Sequence, residues 1–210
     1  MIPVADKKEI FTIGHSNHEL AQFVALLQRH CISVLADVRS QPFSKFHPRY
    51  NRETLETFLK EIGISYVFLG IELGARRTER ECYVQGRADY REIAKLSLFN
   101  CGLEKVRKDA ETNRVALICC ERDPITCHRN ILICRHLRCP EISISHILAD
   151  GSLESNETAE ARLLKLMGLH ENDLFVSKQE LIEQAYDLQG TSIAYSLPST
   201  EQSSSCRGTL

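Results

Sequence analysis

The 210-residue chain has no tryptophan, and nowhere does it hold an apolar run approaching the ~20 residues of a membrane-spanning helix. No membrane association is therefore expected. Its first nine residues carry Asp6, Lys7, Lys8 and Glu9 where an export signal would carry an apolar core, so the expected location is the cytoplasm. Among nine cysteines there is no Cys-x2-Cys pair, which removes the usual spacing of a structural zinc site. Their odd number and irregular spacing also argue for a reducing compartment rather than a disulfide framework. A Cys-x5-Arg phosphatase loop is missing too, because the residues six places beyond Cys119, Cys120 and Cys127 are Ile125, Thr126 and Ile133. Between Arg39 and Arg52 there is no acidic residue at all. The net charge of -2 excludes no class of partner.

What the chain does contain is an alternation of short apolar runs with longer amphipathic ones. The pattern predicts strands at Glu9 to Ile13, Ser33 to Val38, Ser65 to Leu69, Arg114 to Cys119 and Ile142 to Ile147. Between them fall helices at Glu19 to His30, Arg52 to Ile62 and about Asp89 to Asp109, and a further helix after Cys127. This is α/β: a three-layer open sheet of about five mainly parallel strands with helices on both faces, spanning residues 1–150. Glu157 to Met167 and Asp173 to Leu188 predict a small helical C-terminal extension over 151–189. The serine-rich residues 190–210 are expected to form a disordered tail.

Each rich polar cluster falls at the carboxyl end of a predicted strand: Thr12 to Asn17, Asp37 to Ser40, Gly70 to Arg77 and the loop from Cys119 to Arg129. Ligands bind beyond strand carboxyl ends where an open sheet reverses its order. In a 3-2-1-4-5 order the first and fourth strands would be neighbours there, and His15 and Cys127 would share one pocket. The strand order itself does not follow from the sequence.

The loop reads Cys-Cys-Glu-Arg-Asp-Pro-Ile-Thr-Cys-His-Arg from 119 to 129. Thr126 suits a helix N-cap, which puts Cys127, His128 and Arg129 in the first helical turn, where free N–H groups and the helix dipole favour anions. That field can lower a thiol pKa from about 8.5 toward roughly 3.5 to 7.5. Cys127 is thus the expected nucleophile, with His128 and His15 as proton-transfer groups. Cys119 and Cys120 continue the strand and read as core side chains. A zinc site built from Cys119, Cys120, Cys127 and His128 fails because adjacent strand residues point to opposite faces, so no metal ligands are assigned. Glu121 and Arg129 either line an anion site or form an ion pair that pins the loop. His15 could equally be a satisfied core histidine, and Ser16 either caps the next helix or contacts an anion. Asp37 and Arg39 should share one strand face, either as a mutual ion pair or with Arg39 recruiting an anion while Asp37 orients His15 or Arg39.

The acid-free loop interleaves Arg39, Lys45, His47, Arg49 and Arg52 with Phe43, Phe46 and Tyr50, a combination suited to phosphates and stacked bases. The alternative is a solvated basic loop whose aromatics cover the sheet edge. Arg76 and Arg77 begin a second basic stretch, diluted by Glu79 and Glu81.

Thr-Ile-Gly-His-Ser at 12–16, Asp-Val-Arg-Ser-Gln-Pro at 37–42, Leu-Gly-Ile-Glu-Leu-Gly-Ala-Arg-Arg at 69–77, and Cys-Glu-Arg-Asp-Pro with Cys-His-Arg at 120–129 resemble the domain of unknown function 488 family. The resemblance extends over roughly residues 9 to 170, including His146-Ile147-Leu148. Where the family usually reads Leu-Gly-Gly-Arg-Arg, this chain has Leu73-Gly74-Ala75-Arg76-Arg77. The family brings no established reaction and no defined cofactor. The expected function is an enzyme of hydrolase or transferase type acting on an anionic, phosphate-bearing or nucleotide-like small molecule. The site would comprise Cys127, His128 and His15 with Ser16, Asp37, Arg39, Arg76, Arg77, Glu121 and Arg129. The alternative is a non-catalytic module that binds a nucleotide or nucleic acid. Oligomeric state is not readable.

Overall fold

The computed structural model describes residues 7–170 and 176–198. In chain order the elements are β1 (Lys8–Gly14), α1 (Leu20–Arg29), β2 (Val34–Asp37), α2 (Arg52–Glu61), β3 (Ser65–Phe68), α3 (Gly70–Leu73) and a short hairpin of β4 (Tyr83–Val84) and β5 (Arg87–Ala88). They continue with α4 (Tyr90–Lys95), α5 (Ser97–Asp109), β6 (Val115–Cys119), α6 (Arg135–Leu137), β7 (Ile142–Ile147), β8 (Leu153–Ser155), α7 (Asn156–Leu166) and α8 (Lys178–Ile193). A π-helical stretch, Arg129–Cys134, leads into α6.

The expected α/β architecture is present, with six strands in the main sheet. Its order is β3-β2-β6-β1-β7-β8, parallel except for β8. The order differs from the 3-2-1-4-5 arrangement in that β6 lies between β2 and β1. Burial accounts for this. Every residue of β6 is buried, and a strand apolar on both faces belongs at the centre of a sheet covered on both sides. Alternation along the strands separates two cores. Val115, Leu117 and Cys119 pack toward Phe99, Leu103 and Tyr186, while Ala116 and Ile118 pack with Phe11, Phe23, Leu27, Leu55 and Leu59.

The helix predicted over about 89–109 divides at Leu96, whose extended backbone separates α4 from α5. The edge strand β8 is three residues long and antiparallel to β7. Residues 190–198 do not behave as the expected tail. Helix α8 runs through Ile193, and the chain then pairs with the small hairpin, Ala88 N–H donating to Tyr195 O (2.9 Å) and Leu197 N–H to Gly86 O (2.8 Å). Residues 199–210, and Asp173 to Phe175 of the predicted last helix, lie outside the described residues. Among the described residues no helix is long and apolar enough to cross a membrane.

Helix α8 starts at a capping box between Ser177 and Glu180, and it buries Leu181, Ile182, Ala185 and Tyr186 in the same core as Leu117. Arginines fasten its other face. Arg135 pairs with Glu183 (2.7 Å) and Asp187 (2.8 Å), while Arg138 pairs with Glu160 (2.6 Å) and also with Glu183. Burial raises the Glu183 and Asp187 pKa values, but the arginines outweigh it and hold both carboxyls below the ordinary range. A depressed carboxyl stabilises the fold above its unfolded pKa, about 4, and that contribution is lost as pH falls through the folded value. Acidification below about pH 4 should therefore loosen α8 before β6. Hydrogen exchange, corrected for intrinsic rates, checks this: simultaneous exposure of both segments would count against it.

Candidate functional site

The site exists because β1 and β6 are hydrogen-bonded neighbours whose carboxyl ends finish level. Gly14 is in register with Cys119, and the ladder continues past both strands as His15 N–H donates to Cys119 O and Ser16 N–H to Cys120 O, each at 2.9 Å. At that point the loop after β6 folds back over β1. A Cβ on residue 14 would stand 1.8 Å from Glu121 O, so glycine is required for close approach of two backbones.

Beyond β6, four side chains converge. The Glu121 carboxylate oxygen Oε2 lies 2.9 Å from both Cys119 Sγ and Cys127 Sγ, accepting from the thiols. His128 Nδ1 is 3.5 Å from Cys119 Sγ and 3.9 Å from Cys127 Sγ. Its Nε2 is 3.0 Å from Val38 O. A carbonyl only accepts, so Nε2 carries a proton and Nδ1 is the nitrogen turned toward the sulfurs. Burial works against a charged ring, but the hydrogen bond and charge of Cys127 outweigh it and raise the His128 pKa. Burial works against the Glu121 anion, yet the two thiol hydrogen bonds hold its carboxyl at about 2. Burial raises the Cys119 thiol well above its usual value. For Cys127 burial also acts upward, but a hydrogen bond with Cys119, the Arg129 charge and His128 bring the thiol below its ordinary range.

His15 faces the same edge with the opposite tautomer. Its Nδ1 is 3.0 Å from Ser16 O, which fixes the proton there and leaves Nε2 as the free base. The ring stacks on Tyr50 at 4.2 Å between centroids. Cys120 is exposed as a residue, with its thiol partly drawn in beside Cys119 and His15. The Cys119 hydrogen bond lowers this thiol to about 4, burial opposes the shift, and His15 adds to it.

Several expectations change here. Thr126 does not cap the following helix; its hydroxyl donates back to Asp123 O, and Asp123 caps the preceding turn. Cys127 is extended, and its sulfur accepts from Arg129 N–H at 3.4 Å, so the thiol takes the capping place. It is also 1 % exposed, which puts it beneath the surface where a nucleophile cannot meet substrate without rearrangement. Arg129 is wholly buried and its guanidinium donates to Glu121 O (2.7 Å), Arg122 O (3.2 Å) and Thr12 Oγ1 (3.3 Å). It pins the loop through backbone carbonyls and is not free to clamp a ligand. Arg39 is committed as well. It pairs with Asp37 through Nε (2.9 Å) and Nη2 (2.5 Å) and donates to Tyr50 O. Tyr66 closes that group with a 2.6 Å bond to Asp37, whose side chain therefore orients Arg39 rather than His15.

Of the remaining candidates, Ser16 joins the edge through its backbone, in the left-handed region at φ 45°. Arg76 is exposed, and its N–H bonds Ser40 Oγ. Arg77 is buried, paired with Glu79 and bonded to Ile71 O, and it stands apart from the thiols. The sequence places Cys119 and Cys120 in the core and Tyr50 in the basic loop; the structure gathers both thiols at this edge and stacks Tyr50 on His15. Cys119 closes β6 within reach of His128, and Cys120 stands just past the strand end beside His15, with its thiol also hydrogen-bonded to that of Cys119. A cavity of about 1020 Å³ between the β4–β5 hairpin and α8 includes Arg91, Arg135, Glu183 and Asp187, but none of the thiol cluster.

Comparison with known proteins covers three of the four motifs at this edge, 37–42, 69–77 and 120–129, and leaves 12–16 outside the match. No curated protein and no solved structure matches the chain. The family described as "Domain of unknown function DUF488" matches residues 19–135, more than half of the chain and including the entire loop from Cys119 to Arg129. The chain belongs to the DUF488 family.

Proposed function

We propose that this protein is an enzyme, of hydrolase or transferase type, that acts on an anionic small molecule at the joined ends of β1 and β6. One observation carries the reading: of the three thiols gathered there, Cys120 alone is exposed, and it sits beside a histidine whose tautomer offers Nε2 as a base. The sulfur of Cys120 attacks the electrophilic centre, His15 transfers the proton to the leaving group, and water or a second acceptor releases the product. Cys127, His128, Glu121 and Arg129 position the loop that presents Cys120. With Arg39 and Arg129 committed, exposed Arg122 on the same loop is the cation offered to the anion. A reducing, cytoplasmic setting suits such a thiol, and the eight described cysteines are all free.

Thiol labelling followed by peptide mass mapping tests the assignment. Cys120 should be alkylated first, with Cys127 and Cys119 protected until the protein unfolds, and inorganic phosphate should slow the reaction at Cys120. Labelling of Cys127 ahead of Cys120 would remove Cys120 from the role.

A second reading is favoured by one feature. Phe43 and Phe46 do not cover the sheet edge; they are 69 % and 89 % exposed, on either side of Lys45. A single-stranded nucleic acid would stack on them, each phosphate contact adding about -0.7 to the slope of log affinity against log salt. Replacing Lys45, Arg49 and Arg52 should flatten that slope. Absence of nucleic-acid binding at low salt would leave the small anionic substrate alone.

A further inference from the structure

We infer that Cys119, Glu121, Cys127 and His128 form a binding site for a zinc-class divalent cation. Their ligand atoms all lie within 4.8 Å of one another. The inference does not rest on catalysis, since metal binding is read without substrate.

The chemistry of the donors comes first. Two thiols, one imidazole and one carboxylate are a tetrahedral zinc set, and thiolates with a histidine select zinc over the hard cations that prefer oxygen alone. With Zn–S at about 2.3 Å and Zn–N at about 2.0–2.1 Å, a tetrahedron places sulfur and nitrogen roughly 3.6 Å apart. His128 Nδ1 stands 3.5 and 3.9 Å from the two sulfurs. The sulfur-to-carboxylate distances of 2.9 Å are those of hydrogen bonds and must open by roughly 0.6 Å. Glu121 is exposed as a residue with its carboxylate drawn in against the two thiols, so loading moves that carboxylate outward and opens the way for the cation.

The surroundings hold the ligands as an outer shell does. The Val38 carbonyl takes the far N–H of His128 and so aims the other nitrogen at the sulfurs, the usual support of a metal-binding histidine. The Arg129 N–H already donates to Cys127 Sγ. Charge also balances: a divalent cation displaces one proton from each thiol, so the net charge of the cluster is unchanged on loading. The objection drawn from strand parity applies to Cys119 together with Cys120. This site uses Cys119 and passes over Cys120, which lies past the strand end beside His15.

Cobalt(II) titration of the full chain, reduced and metal-free, tests the inference. One equivalent should give near-ultraviolet sulfur-to-cobalt bands and tetrahedral visible bands, and zinc should abolish both. Cys127→Ser should lose the sulfur bands, whereas Cys120→Ser and Cys31→Ser should retain them. Should Cys127→Ser fail to fold, zinc X-ray absorption on the unaltered chain decides: two sulfur and two nitrogen or oxygen neighbours are expected. No sulfur-to-cobalt band, a band that survives Cys127→Ser or vanishes with Cys120→Ser, or a zinc shell without sulfur would overturn it. None of these failures alters the labelling result at Cys120, so the metal site and the catalytic reading fail separately.

Discussion

Replacing Gly14 with alanine is expected to destabilise the protein by about 3 kcal/mol and to dissolve the selectivity of its thiols. An alanine at a compatible glycine position would instead stabilise by roughly 0.4–1 kcal/mol through the unfolded chain, so even the sign is informative. The added Cβ would stand 1.8 Å from Glu121 O and 2.8 Å from Glu121 C, both backbone atoms, and no side-chain rotation relieves the overlap. The loop has to lift. Glu121 O is also the acceptor for Arg129, so the displacement breaks a 2.7 Å bond and separates Glu121 from the two thiols. A urea midpoint lowered at constant slope, with Cys127 becoming reactive in the folded protein, is the predicted outcome. An unchanged midpoint would mean that β1 and the loop do not approach this closely.

Arg129→Met should have an effect of the same order or larger, about 3–5 kcal/mol, similar to breaking a buried charged interaction. Methionine can follow the aliphatic stem of the wholly buried arginine but donates nothing. Two carbonyls then lose their donor, at about 1–3 kcal/mol for each group left buried and unpaired, while the Thr12 hydroxyl keeps its bond to His146. Arg129→Lys should recover only part of this, because one ammonium cannot span the three acceptors in the fixed fork of a guanidinium. Chemical denaturation of both variants, with thiol labelling of each, measures the loss. Near-native stability of Arg129→Met would contradict the view that this arginine holds the loop.

The fold was legible where local pattern decides it. The run from Ile142 to Ile147 reads as a strand because its apolar residues alternate, and β7 has those bounds. The carboxyl-end position of the polar loops followed from strand direction alone. Strand order was not legible, because it depends on which helices cover β6, and β8 is three residues with too little pattern to detect. At the site, the sequence pointed to the loop from Cys119 to Arg129 and to Cys127 within it. A helix N-terminus was expected to expose Cys127, but the loop turns back across Gly14 and buries it, leaving Cys120 at the surface. Nor does spacing reveal that Arg39 and Arg129 are already committed to a carboxylate and to carbonyls; that requires knowing what folds against them.

The central claim is turnover at Cys120, and it is tested most directly by incubating the full chain with a broad mixture of phosphate-bearing metabolites and following every component by mass spectrometry. The account predicts that one class is consumed, that its product accumulates, and that Cys120→Ser and His15→Gln abolish the conversion while both proteins remain folded. An unchanged mixture, with the same intact compound retained equally by the unaltered chain and by Cys120→Ser, would contradict it and identify a binding module instead.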